Sequence, residues 1–230
     1  MSSKLEIYHD GPSEDQLINL ISPNITGFTF NPSIFKKLKI KNYFEACHKY
    51  AKLAKQKPVS LEIIADNTAD AFDQALKLAN ISNNVFVKIP VMFTNEEPTY
   101  DLIKNLIKKD IKLNITAILS VKQIENLMPI AQYTDNILSI FVGRIYDSGL
   151  DGEDYLKDII NLKNRKYKFL WASARMAFDV IKAERCGFDI ITLTTELIDK
   201  YNKFGTNLEK VSKNTVEQFY NDAVSSGFKL

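Results

Sequence analysis

Short β-branched and aliphatic runs alternate with amphipathic stretches eight times over. This rhythm constrains the fold more than any other feature of the 230 residues. The runs predict strands over 5–9, 25–28, 60–65, 85–89, 112–118, 137–142, 169–172 and 189–192. Between them, a period near 3.6 predicts helices over 13–20, 43–55, 69–80, 100–109, 121–131, 154–162, 176–185 and 195–201. Residues 32–38 read as a turn, and a last amphipathic helix over about 208–226 closes the chain. Ser13, Ser120 and Thr194 stand where N-caps belong, and Gly187 where a helix would stop.

Strands that alternate with helices become parallel βα units, because a parallel neighbour is reached only by a crossover. Two architectures satisfy this: a closed (β/α)8 barrel of the TIM type, or an open doubly wound sheet. The open sheet often carries a glycine-rich turn after its first strand. Here that turn reads HDGPSED, with one glycine, and no GxxxxGK[ST] occurs. A count of eight and a length near that of a minimal barrel favour the barrel. No Pro/Gly/Ser-rich linker divides the chain, so residues 1–230 are expected to form one domain.

Composition narrows the function. The net charge is +2 and gives no footprint for nucleic acid. The lysine excess falls on helical segments (Lys104, Lys108, Lys109) and reads as solvated surface. Cys47 and Cys186 show no metal or redox spacing, and with only His9 and His48 beside them a zinc cluster is not expected. MSSKLEIYHD lacks the apolar core of a signal peptide, and no apolar run is long enough to span a membrane, so a cytoplasmic protein is expected.

The fourth strand, VFVKIPV (85–91), sets Lys88 in an otherwise apolar run. Lysine is almost never fully buried without a partner or a chemical role. In a barrel such strands end at the active-site face. The other polar residues at or just past those ends are Asp10, Asn31, Glu62, Asn114, Thr116, Ser139, Arg144, Ser173 and Arg175, from six further strands. Each has a plainer reading: Lys88 as a snorkelling or edge residue, Asp10 as a helix cap, Asn31-Pro32 as a turn, the arginines as surface. A barrel, however, gives the fourth strand no free edge and gives Glu62 no wet outer face.

As a set these groups can do chemistry. Burial among apolar residues favours a lysine's neutral amine, which attacks a ketone and forms a Schiff base. A carboxylate can take up the proton of a substrate hydroxyl. Two guanidinium groups can hold a phosphate bidentately.

The residues resemble the transaldolase family over nearly the whole chain. GFTFNPSIF is similar to its GxTTNPS, VSLEIIA to VSxEVxA, and VFVKIPV to the Schiff-base strand VxVKIP. LNITAILS resembles NxTxxFS, LSIFVGRI resembles SPFVGRI, and ASAR resembles ASFR. The length is similar to the short subfamily that includes fructose-6-phosphate aldolases. The resemblance implies a Schiff base on Lys88 and general acid/base chemistry at Asp10, with Glu62 and Thr116 positioning a catalytic water. Asn31, Asn114, Ser139 and Ser173 would line the dihydroxyacetone site, and Arg144 and Arg175 would bind phosphate. The implied reaction moves dihydroxyacetone from sedoheptulose 7-phosphate or fructose 6-phosphate to glyceraldehyde 3-phosphate or erythrose 4-phosphate, within the pentose phosphate pathway.

The resemblance implies no metal and no organic cofactor. It implies a homo-oligomer, pentamer or decamer, in which the last helix embraces a neighbour. Glu62 and Phe141 look transaldolase-like, where free aldolases tend to show glutamine and tyrosine. An aldolase that releases free dihydroxyacetone, or a related barrel acting on another sugar phosphate, stays open as an alternative. Phe30, Ile140, Ala174 and the Gly11-Pro12 pair depart from the family pattern and bear on the shape of the pocket.

Overall fold

A computed structural model describes residues 5–19, 24–132, 135–160 and 166–229. The strands are β1 (Glu6–Asp10), β2 (Ile25–Thr29), β3 (Val59–Glu62), β4 (Val85–Pro90), β5 (Leu113–Ile118), β6 (Ile137–Ile140), β7 (Lys168–Trp171) and β8 (Ile190–Leu193). They form a closed barrel in sequence order, every pairing parallel, with β1 hydrogen-bonded to both β2 and β8. The closed (β/α)8 barrel is therefore the architecture, and the open sheet is excluded.

Successive side chains along a strand point to opposite faces. In β4, Val85, Val87 and Ile89 join a large outer cluster that packs the sheet against its helices. Phe86 joins a small inner cluster with Tyr8, Ile137, Leu170, Ala172, Ile190 and Phe141. That inner cluster is an apolar plug inside the barrel. A Cβ on Gly27 would lie 2.6 Å from the Tyr8 ring, so a residue without a side chain is required where the tyrosine crosses the interior.

The helices are α1 (Glu14–Ile18), α2 (Pro32–Lys37), α3 (Tyr43–Leu53), α4 (Thr68–Ala79), α5 (Tyr100–Ile107), α6 (Val121–Ala131), α7 (Val142–Asp147), α8 (Gly152–Ile160), α9 (Asp179–Cys186), α10 (Thr195–Tyr201) and α11 (Leu208–Ser225). Ser13 and Ser120 form capping boxes with Gln16 and Gln123. Gly187, at φ 81°, ends α9 in the left-handed region. Thr194 stands at the N-cap of α10 without a side-chain cap bond. The expected helix ends at Leu20 and at 161–162 lie outside the described residues.

Several boundaries differ from expectation for local reasons. Residues 32–37 are helix, because Pro32 opens the first turn and Asn31 caps it. β3 stops at Glu62 where the sequence suggested Ala65, because the backbone N–H groups of Ile64 and Ala65 donate to Gln74 Oε1. β6 ends at Ile140, and Val142 opens a six-residue helix too short for a periodic pattern. α9 begins at Asp179 and not at Met176, because the Asp179 carboxylate accepts the backbone N–H groups of Arg175 and Met176.

His9 lies on the outward face of β1, 2% exposed, with Nε2 3.0 Å from Thr195 Oγ1. Burial, opposed by the Asp199 charge, lowers its pKa from 6.5 to about 4. Between those values the unfolded chain binds the proton and the fold does not, so His9 makes stability fall as pH drops from about 6.5 to about 4. The full effect is about 3 kcal/mol. Asp10, whose carboxyl burial raises, contributes the opposite slope. Denaturant unfolding of wild type and His9→Gln across this range isolates the histidine: the stability difference between the two is expected to shrink by about that amount toward pH 4. A difference independent of pH would refute the assignment.

Candidate active site

The polar side chains stand above the apolar plug, toward the C-terminal strand ends. Strand register places them. Glu62 of β3 lies opposite Lys88 of β4, which lies opposite Asn114 of β5. Asp10 of β1 lies opposite Thr29 of β2, and Thr29 opposite Ser60. Because neighbouring in-facing residues meet at strand spacing, these groups converge without any loop having to deliver them.

Lys88 is 5% exposed. Its Nζ lies 3.0 Å from Glu62 Oε2 and donates to the Phe30 carbonyl at 3.4 Å. The apolar neighbours Val87 and Ile89 pack in the outer cluster, and the amine has a carboxylate and a carbonyl as its polar partners. Tyr43 of α3 donates its hydroxyl to the Glu62 carbonyl, anchoring the end of β3.

The Asp10 carboxylate accepts from Thr29 Oγ1 at 2.6 Å, and Thr29 Oγ1 lies 2.6 Å from Thr192 Oγ1. Burial holds the Asp10 carboxyl above its usual range, opposed by the Thr29 hydrogen bond and by the charges of Lys88 and Lys37. A carboxyl that resists ionisation is suited to exchange protons with a substrate hydroxyl.

Asn114 is fully buried and engaged at both ends: Nδ2 donates to Ser60 Oγ at 3.0 Å, and Oδ1 accepts from Ser139 Oγ at 2.6 Å. Thr116, also in-facing, is buried with a hydroxyl that has no hydrogen-bond partner among the described residues. The next residue, Ala117, has φ 60°, and the β5–β6 register shifts there, so a bulge sets the angle of this strand end. Asn31 spends its side-chain oxygen on the Ile34 backbone N–H at 2.9 Å, leaving the amide Nδ2–H groups as donors for any other partner.

Ser173 and Arg175 lie on the turn after β7, and Arg144 lies in the first turn of α7, after β6. Ser173 has φ 62°, and a Cβ on Gly143 would lie 1.7 Å from its carbonyl oxygen, so the two turns abut at backbone distance and only glycine fits. Arg144 and Arg175 are exposed at the barrel mouth. The Arg144 guanidinium lies 5.6 Å from the Phe141 ring centroid, and Arg175 pairs with Asp147 of α7.

Sequence reading missed Thr29, Ser60 and Thr192, which buttress the site. Their signal was present: Thr29 and Ser60 sit two residues before Asn31 and Glu62, on the same face, and Thr192 supplies the polar group of the eighth strand. Of the family departures, Phe30 and Ile140 pack in the outer cluster, Phe30 against Phe35 and Tyr50, and Ala174 packs at that cluster's edge.

The family model described as transaldolase/fructose-6-phosphate aldolase matches residues 7–229. The chain is 30% identical over 180 residues to a probable transaldolase of Nitrosopumilus maritimus, covering 76% of this chain and 77% of that one. It is 28% identical over 209 residues, 90% of each chain, to a probable transaldolase of Clostridioides difficile. Among solved structures it is similar to a thiamine phosphate pyrophosphorylase of Pyrococcus furiosus (TM-score 0.56, 13% identity, 84% of this chain and 87% of that one). It is also similar to a putative phosphonomutase of Burkholderia cenocepacia (TM-score 0.57, 10% identity, 91% and 94%). At such identities the structural likenesses speak for the barrel alone. The register-built polar interior and the match along nearly its whole length together place the chain in the transaldolase/fructose-6-phosphate aldolase family.

Proposed function

We propose that the protein is a transaldolase that moves a dihydroxyacetone unit between sugar phosphates through a Schiff base on Lys88. One observation carries the reading: a buried lysine amine held 3.0 Å from a carboxylate, inside a closed barrel and two residues from the C-terminal end of its strand. Family membership supports it.

The chemistry runs as follows. Lys88 gives a proton to Glu62 or solvent, and its neutral Nζ adds to the donor ketone. Water departs from the carbinolamine and leaves an iminium. Asp10 takes the proton of the hydroxyl beside the scissile bond, the carbon–carbon bond breaks, and its electron pair moves to the iminium nitrogen as an enamine. The aldose phosphate leaves. The enamine attacks an acceptor aldehyde, which takes its proton from Asp10, and water hydrolyses the new imine. Glu62 and the Thr116 hydroxyl, which has no hydrogen-bond partner among the described residues, orient that water. The Asn31 amide NH2, Asn114, Ser139 and Ser173 line the dihydroxyacetone part, and Arg144 and Arg175 take the phosphate. Glu62 and Phe141, the latter in the inner apolar cluster, favour transfer over release.

Helix α11 supports a homo-oligomer. None of its residues is buried, and Leu208, Val211, Val216, Phe219, Tyr220 and Val224 are all exposed along it. Apolar surface of that extent left in water is unfavourable, and a second copy of the chain is the occupant proposed.

Borohydride reduction with fructose 6-phosphate is expected to add a three-carbon unit at Lys88, located by peptide mass mapping. Lys88→Met, with its fold checked by circular dichroism, is expected to lose both the adduct and turnover. An adduct elsewhere on that variant would reject the nucleophile. With erythrose 4-phosphate as acceptor, fructose 6-phosphate consumption is expected to rise at least tenfold. An equal rate without acceptor, with free dihydroxyacetone accumulating, would identify an aldolase. Light scattering is expected to give a multiple of the 26.2 kDa chain mass; a monomer would refute the role given to α11.

A further inference from the structure

Arg175 is the more constrained of the two arginines at the mouth. Its backbone N–H donates to Asp179 Oδ2 at 2.7 Å, and that carboxylate, 1% exposed, also accepts from Met176. Its Nε side lies against Gly143, where a Cβ would come within 3.0 Å of Nε. Its Nη2 donates to Asp147 Oδ2. Arg144 differs: among the described residues no carboxylate pairs with it.

A guanidinium offers two side-by-side donor pairs to a phosphate, Nε with Nη2 and Nη1 with Nη2. Both pairs use Nη2. For Arg175 the first pair is closed in by the opening turn of α7, and the second has the Asp147 carboxylate on the shared nitrogen. Whichever pair a phosphate takes, it meets the Asp147 charge.

We propose that Asp147 competes with the substrate's phosphate group for Arg175, and so sets how tightly phosphorylated sugars and free phosphate are held. The proposal rests on the sugar-phosphate reading above. Asp147 acts through Arg175 and touches no reacting atom, so it is a positioning and specificity residue. The competition is modest, because both side chains are about half exposed, 46% for Arg175 and 56% for Asp147. Exposed pairs of this kind are weak, which translates to about a two- to fivefold effect on affinity. A weak counter-ion suits an enzyme that must release one sugar phosphate and accept another in each cycle. Removing it should not unseat the loop, since Asp179 and the Gly143–Ser173 contact hold the Arg175 backbone independently.

The test compares wild type, Asp147→Asn and Arg175→Ala. Asp147→Asn is expected to lower KM for fructose 6-phosphate and the inhibition constant of inorganic phosphate by about two- to fivefold each. Borohydride trapping of unphosphorylated dihydroxyacetone is expected to stay at the wild-type rate. Arg175→Ala is expected to raise both phosphate-dependent constants and to erase the effect of Asp147→Asn in the double variant. A raised or unchanged KM in Asp147→Asn, or an equal change with dihydroxyacetone, would overturn the competition. Wild type that traps dihydroxyacetone while inorganic phosphate fails to inhibit it would also overturn it. Wild type that is not trapped at all would instead defeat the Schiff-base reading beneath it.

Discussion

Two opposite charges, Lys88 and Glu62, are held out of water between adjacent strands of a closed sheet. Withdrawing such a pair from water costs several kcal/mol per ion, and attraction offsets this only with close geometry and satisfied neighbours. The geometry here comes from the hydrogen-bond ladder, because Glu62 and Lys88 are opposite each other in the β3–β4 register. A slip of one residue would turn Lys88 toward the helices and Val87 or Ile89 into the lumen. The lumen chemistry therefore depends on register being kept around the whole ring. The outward aliphatic residues of β4, Val85, Val87 and Ile89, penalise any slip, because it would set a charged side chain among the outer cluster.

The site divides into two zones with different physics. In the lumen, Thr29 ties Asp10 to Thr192 and Asn114 ties Ser60 to Ser139, each through side-chain hydrogen bonds. At the mouth, both arginines are exposed and the Arg175–Asp147 ion pair is screened. This division suits a reaction in which a three-carbon fragment stays bound while phosphorylated partners exchange. Rigid, desolvated groups hold the fragment, and weaker, exposed ones handle the passing phosphate.

Much of the architecture was legible in the chain. Eight strand runs, the long helices, the Ser13 and Ser120 caps and the Gly187 stop are all local signals, set by period, propensity and capping chemistry. The short helices α2 and α7 were not legible as helices, because six residues hold no full repeat of an amphipathic pattern. The end of β3 was hidden because a side chain twelve residues beyond its last residue, Gln74, takes the N–H groups that would have extended the ladder. Of the site, the residues carrying unusual chemistry, Lys88, Glu62, Asp10 and the arginines, drew attention by type. Thr29, Ser60 and Thr192 did not, since hydroxyls are common in strands and only a neighbour across the barrel gives them a role.

What the sequence determined by itself is what one strand or helix can decide alone: where each element lies, which face of each strand is apolar, and that a lysine stands where only aliphatic residues would be expected. What the tertiary structure decided is which groups meet. Alternation fixes that Lys88 and Glu62 lie on the polar faces of their strands, but only closure turns those faces inward together and sets the amine against the carboxylate. The same closure sets Phe30 and Ile140 in the outer cluster and brings Asp147 onto Arg175, while no residue of α11 is buried. Faces are properties of single elements with a fixed period, whereas distances between faces arise only when the eighth strand pairs with the first.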